Sequence, residues 1–93
     1  MEETIRAIGY ITRDNYNSVI TVKKVREFFD INPLDNSKIN FYWRSLHSLE
    51  LDGILRRKGN KSPKQYLVSN YFKFFELLHD TYMSRVAMVN GIV

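Results

Sequence analysis

Between Glu2 and about Asp14, Ile5, Ile8 and Ile11 recur every third residue with Ala7 beside them, and the spacing predicts a first helix. The turn formers Asp14-Asn15-Tyr16-Asn17-Ser18 break it. Val19 and Ile20 read as a very short strand. Thr21 then offers an N-cap to ValLysLysValArgGluPhePhe, a second helix to about Phe29 with Val22, Val25, Phe28 and Phe29 turned inward. Residues 30–36 form a loop, because Pro33 disfavours helix at Asn32. A third helix starts at a cap on Asn36 or Ser37 and runs to Asp52-Gly53. It carries Ile39, Tyr42, Leu46 and Leu49 on one stripe, and Gly53 is its expected C-terminal glycine.

After Gly53 the helical period stops. Ile54–Lys58 and Gln65–Val68 have strand character and are separated by the turn-rich Gly59-Asn60-Lys61-Ser62-Pro63-Lys64, which predicts a hairpin. Ser69 or Asn70 caps a last helix that ends at Asn90-Gly91. The apolar residues of that helix spread over more than one face, and a small domain buries only one. The excess face predicts an interface formed by Tyr71, Phe74, Phe75, Leu78, Tyr82, Met83 and Val86.

Ninety-three residues make one domain, residues 1–93, without an internal repeat. The absence of cysteine removes disulfide and Cys-metal frameworks. No apolar run reaches membrane-span length and the N-terminus lacks a secretory pattern, so the expected location is cytoplasmic, with no membrane partner. Charge changes the picture more. The net charge is +4, yet residues 53–69 alone carry Arg56, Arg57, Lys58, Lys61 and Lys64 and no acid. The whole excess sits on the predicted hairpin, and polyanions are the partners such a footprint suits.

The order of helix, short strand, helix, loop, helix, basic hairpin and long helix resembles the winged helix-turn-helix proteins, particularly the PadR-like and MarR-like regulators. The resemblance rests on TyrTrpArgSerLeuHisSerLeuGluLeuAspGlyIleLeu (42–55) and GlnTyrLeuValSer (65–69). Family members show Tyr-x-Leu-Thr after the hairpin, where this chain has Tyr-Leu-Val-Ser. Size also makes the chain similar to small archaeal plasmid and virus proteins of this fold, including centromere-binding segregation proteins. The resemblance implies a mainly α (α+β) fold with a helix-turn-helix at about 21–52, a two-stranded basic wing at about 54–68 and a dimerisation helix at about 70–90. It implies a homodimer on palindromic double-stranded DNA, serving transcription regulation or plasmid partition, the latter with other segregation proteins as partners.

A helix in the major groove reads base edges with its outward side chains. On the third helix these are Ser37, Lys38, Asn40, Phe41, Arg44, Ser45, His47 and Ser48. Asn40 suits adenine, Arg44 guanine or a phosphate, and Phe41 a thymine methyl. Lys61 and Lys64 at the hairpin tip and Arg57 on its strand suit phosphates, with Lys23 and Lys24 as further candidates. The alternatives are a protein–protein adaptor without DNA binding and a single-strand binder stacking bases on Phe41, Tyr42 and Trp43. His47 and His79 lie apart with no cysteine nearby, and no catalytic set stands out, so neither a metal, another cofactor nor an enzyme is expected.

Overall fold

The computed structural model describes the backbone of residues 1–89 and the side chains of residues 1–83. Among the described residues, four helices and a two-stranded antiparallel sheet follow in the order α1 (Glu2–Ile11), α2 (Val22–Phe28), α3 (Asn36–Leu51), β1 (Leu55–Arg57), β2 (Tyr66–Val68) and α4 (Tyr71–Val89). The first helix ends about three residues sooner than its periodicity suggests. The Thr12 hydroxyl donates to the Ile8 carbonyl at 2.8 Å, and an Arg13 guanidinium nitrogen donates to the Tyr10 carbonyl at 2.7 Å. These side chains satisfy last-turn carbonyls from within the turn that follows.

Local chemistry sets the other helix ends. Thr21 caps α2, its hydroxyl accepting from the Lys24 amide at 3.1 Å. The cap of α3 is Asp35, one residue before the expected Asn36 or Ser37, and its carboxylate accepts from the Lys38 amide at 3.1 Å. Asn70 caps α4 by accepting from the Lys73 amide at 3.0 Å. The expected end of that helix at Asn90-Gly91 lies outside the described residues.

Both α2 and α3 terminate in the same paired-bond motif. At α3, Gly53 donates to Glu50 and Ile54 to Leu49, each at 3.0 Å, with Gly53 at φ 77°. At α2, Asp30 donates to Glu27 and Ile31 to Arg26, each at 3.1 Å, with Asp30 itself in the left-handed region at φ 54°. An L-residue other than asparagine or aspartate is rare there, and even aspartate carries strain that glycine does not. Asp30→Gly is therefore expected to stabilise the fold by about 0.5–1 kcal/mol, raising Tm by roughly 2–6 °C for a domain of this size. A thermal melt that moves down instead would show that the aspartate side chain outweighs the backbone strain.

The core gathers one face from each element. Ile5 and Ile8 of α1, Val25 of α2, Tyr42, Leu46 and Leu49 of α3, Leu55, Tyr66 and Val68 of the sheet and Phe74 of α4 are all buried, with Ile20 and Ile54 between elements. Ile11, Val22, Phe28 and Phe29 lie at its margin, half-buried. The expected strand at Val19-Ile20 reduces to one bridge. Ile20 donates to Tyr66 at 2.8 Å and accepts from it at 2.9 Å. The hairpin pairs Leu55 with Val68, Arg56 with Leu67 and Arg57 with Tyr66, and a further Lys58-to-Gln65 bond extends the ladder towards the tip.

Helix α4 lies along α1, where Gly9 makes room for it. A Cβ at Gly9 would stand 3.0 Å from Leu78 Cδ1. No helix among the described residues is long and apolar enough to cross a membrane.

Candidate nucleic-acid interface

The buried stripe of α3 leaves Ser37, Asn40 and Arg44 exposed and His47 and Ser48 half-exposed, as the helical period requires. Three other residues of α3 sit differently from expectation. Ser45 is buried, because it falls on the flank of the stripe between Tyr42 and Leu49. Lys38 reaches α1, its ammonium 3.7 Å from a Glu3 carboxylate oxygen and 5.9 Å from the Phe41 ring centre. Phe41 is half-buried against the core, with its ring on that of Tyr42. Lys38 and Phe41 thus belong to the α1 side of the helix. Tyr42 is wholly buried, which removes it as a platform for a stacked base.

On its opposite flank α3 faces the hairpin. Trp43 is 41% exposed there, stacked on His47 with ring centres 5.7 Å apart and planes 14° from parallel. Lys64 of the hairpin tip lies over the same indole, its ammonium 4.6 Å from the ring centre. This contact joins the basic hairpin to α3. A cleft of about 440 Å³ runs beneath it, bounded by the start of α2, by α3 and by Ser62, Pro63 and Lys64.

The two lysines at the start of α2 part company. Lys23 lines this cleft. Lys24 turns away, donating to the Val19 carbonyl at 2.7 Å beside a separate hollow between α1 and α2 lined by Tyr10, Arg13 and Phe28. Lys61 is exposed at the tip. Arg57 is half-buried at the tip-side end of the paired strands, its guanidinium carbon 5.9 Å from the centre of its cross-strand partner Tyr66.

Beneath the hairpin, the Tyr66 hydroxyl and Arg57 Nε are buried without a hydrogen-bond partner among the described residues, as is His47 Nδ1, which stands 3.6 Å from a Glu50 carboxylate oxygen. Burial raises the Tyr66 pKa. The Glu50 carboxylate raises it further, and Arg57 opposes. Burial likewise raises that of Tyr42, helped by Glu3 and Asp35. Both groups hold their protons more tightly folded than unfolded. The stability they contribute is present below the unfolded value of about 10 and is lost as pH rises through the folded values. Denaturant midpoints are expected to fall above about pH 10, and Tyr66→Phe should lessen that fall. An alkaline profile unchanged in Tyr66→Phe would remove this residue from the linkage.

The aromatic surface of α4 divides in the same residue-by-residue way. Phe74 is fully buried in the chain's own core, which removes it from any partner surface, and Leu78 is half-buried with its side chain towards Gly9 of α1. Tyr71 is half-buried, donating to Asn17 at 3.3 Å and touching the Tyr16 ring. Phe75, Tyr82 and Met83 are exposed, joined by Phe72, which is 82% exposed. The Tyr16 ring, 5.5 Å from that of Phe75, continues this surface into the segment after α1. The side chain of Val86 lies outside the described residues.

Comparison with protein-family models, with curated proteins and with solved structures finds no match to this chain. Its function rests on the chemistry of its own surface. Of that surface, Trp43 is the residue that sequence reasoning undervalued. It appeared there only as a stacking platform. The signal was present in its position four residues from both Ile39 and His47, on the flank of the apolar stripe.

Proposed function

We propose that the protein binds duplex DNA as a homodimer, with α2 and α3 acting as a helix-turn-helix and the basic hairpin as its wing. The α+β arrangement is compatible with that fold. One observation carries the reading: Lys64 on Trp43 couples the acid-free hairpin to α3, beside the helix's exposed polar face. A helix supplying Asn40 and Arg44 next to a hairpin supplying Lys61 and Lys64 meets the two needs of DNA recognition, base edges and phosphates. The exposed Phe75, Tyr82 and Met83 supply the dimer surface, which presents two copies of α3 to a palindromic site.

The test is a fluorescence-anisotropy titration on a duplex of about 30 bp across a salt series. Engagement of six or more phosphates predicts an affinity loss of about 10³-fold or more between roughly 50 and 200 mM salt. No binding at the low-salt end would overturn the proposal. On a selected site, Asn40→Ala and Arg44→Ala are each expected to cost about 1–3 kcal/mol, with little loss on random DNA. Equal losses on both would reassign the residue to a phosphate. A footprint that spreads beyond the first site favours partition, with its attendant segregation proteins. One confined to a promoter operator favours transcription regulation.

A further inference from the structure

The cleft between α3 and the hairpin tip differs in chemistry from the polar face beside it. Val22, Ile39, Trp43 and Pro63 give it apolar walls. Its two charged lining residues are both ammoniums, Lys23 from α2 and Lys64 from the hairpin. The indole is not an open platform, because His47 stacks on it and Lys64 covers it. A base could stack there only if Lys64 left. An apolar lining between cations from two separate elements instead matches a sugar ring carrying a phosphate on each side.

We infer that this cleft takes one backbone unit of duplex DNA, with the deoxyribose in the apolar lining against the indole edge left between His47 and Lys64, and its flanking phosphates at Lys23 and Lys64. The inference rests on the DNA reading proposed above and adds to it a neutral contact whose contribution is separable from the ionic ones. Each neutralised phosphate releases counterions and steepens the salt dependence, whereas an indole packed on a sugar contributes by excluding water and leaves the slope alone. Trp43 is the chain's single tryptophan, so its emission reports on this cleft and nowhere else.

The experiment measures duplex and single-strand binding across the same salt range for the wild type, Lys23→Ala, Lys64→Ala, Trp43→Ala and Trp43→Phe, with tryptophan emission followed wherever the indole remains. Duplex is expected to bind more tightly than its single strand and to change the wild-type emission. Each lysine variant is expected to reduce the magnitude of the slope of log affinity against log salt by about 1.8 on a duplex that takes both protomers, about 0.9 for each of the two phosphates lost. Trp43→Ala is expected to weaken binding roughly tenfold and, because it also removes the ring under Lys64, to change the slope by no more than Lys64→Ala does, with Trp43→Phe recovering most of the loss and keeping the wild-type slope.

Unchanged slopes in both lysine variants, with the wild type still binding duplex, would overturn the cleft assignment and leave the DNA reading standing. Tighter binding of single strands would overturn it in favour of base stacking. Should Trp43→Ala lose its fold by circular dichroism, the lysine slopes and Trp43→Phe decide. Failure of the wild type to bind duplex at all would remove both the reading and the inference.

Discussion

Phe74→Ala is expected to cost about 3–5 kcal/mol of folding stability, read as a drop in the denaturant midpoint. The side chain is wholly buried and carries α4 into a core built from Ile5, Ile8, Leu46 and the hairpin base. Its removal takes away the transfer energy of an aromatic ring and leaves a cavity whose walls belong to different elements and relax only in part. Small domains have about 5–15 kcal/mol in total, so this one truncation consumes a large share. The neighbouring Phe75→Ala provides the control. Phe75 is 42% exposed, and its truncation should cost far less in the monomer. A loss below about 1 kcal/mol for Phe74→Ala would mean that α4 is not anchored through this residue.

Under the proposed function, Tyr82→Arg is expected to convert the proposed dimer to a monomer and lower affinity for a palindromic site by about 10²–10⁴-fold, while affinity for an isolated half-site stays unchanged. Tyr82, Met83 and Phe75 are about half-exposed on the surface of α4 away from α1, and Phe72 is almost bare. A guanidinium at position 82 would bury a charge in the apolar contact of the proposed dimer, at a desolvation cost the tyrosine does not carry. Light scattering gives the mass and anisotropy on whole and half sites gives the linkage. An unchanged mass would sink the dimer assignment, whatever the DNA affinity does.

These two residues also show where sequence pattern stops being informative. In a helix that is apolar nearly all round, period alone does not say which arc meets the core. Phe74 and Leu78 were grouped with Phe75 and Tyr82 because all are large and apolar. What divides them is the placement of α4 against α1, and Gly9, which permits it, lies 69 residues before Leu78. Lys38 is a similar case, since its partner Glu3 sits on α1, and no local pattern links the two.

Where the cause is local, the reading holds better. The cap at Thr21, the glycine turn at Gly53, the Tyr42-Leu46-Leu49 stripe and the hairpin flanks all follow from neighbours within a few residues. The cap of α3 slipped by one because Asp35, Asn36 and Ser37 are three capping residues in a row. The left-handed conformation of Asp30 is not legible in the sequence, because aspartate adopts it far less often than it sits in ordinary turns and helix caps. Trp43 acquired its setting from Lys64, which reaches it only after the hairpin has formed.

The paired bonds between Ile20 and Tyr66 have a consequence for the order in which the molecule is built. Helices α2 and α3 lie between those two residues, and their contacts with each other span a shorter stretch of chain than the Ile20–Tyr66 bridge does. Their packing on each other, with the apolar stripe of α3, therefore has time to develop first, as short-range contacts do. Tyr66 then closes a long loop, tying the first residue of β2 to the residue just before the α2 cap. During folding, the polar helix face would assemble ahead of the latch on the cationic hairpin, and the pairing of Tyr66 with Ile20 would complete it.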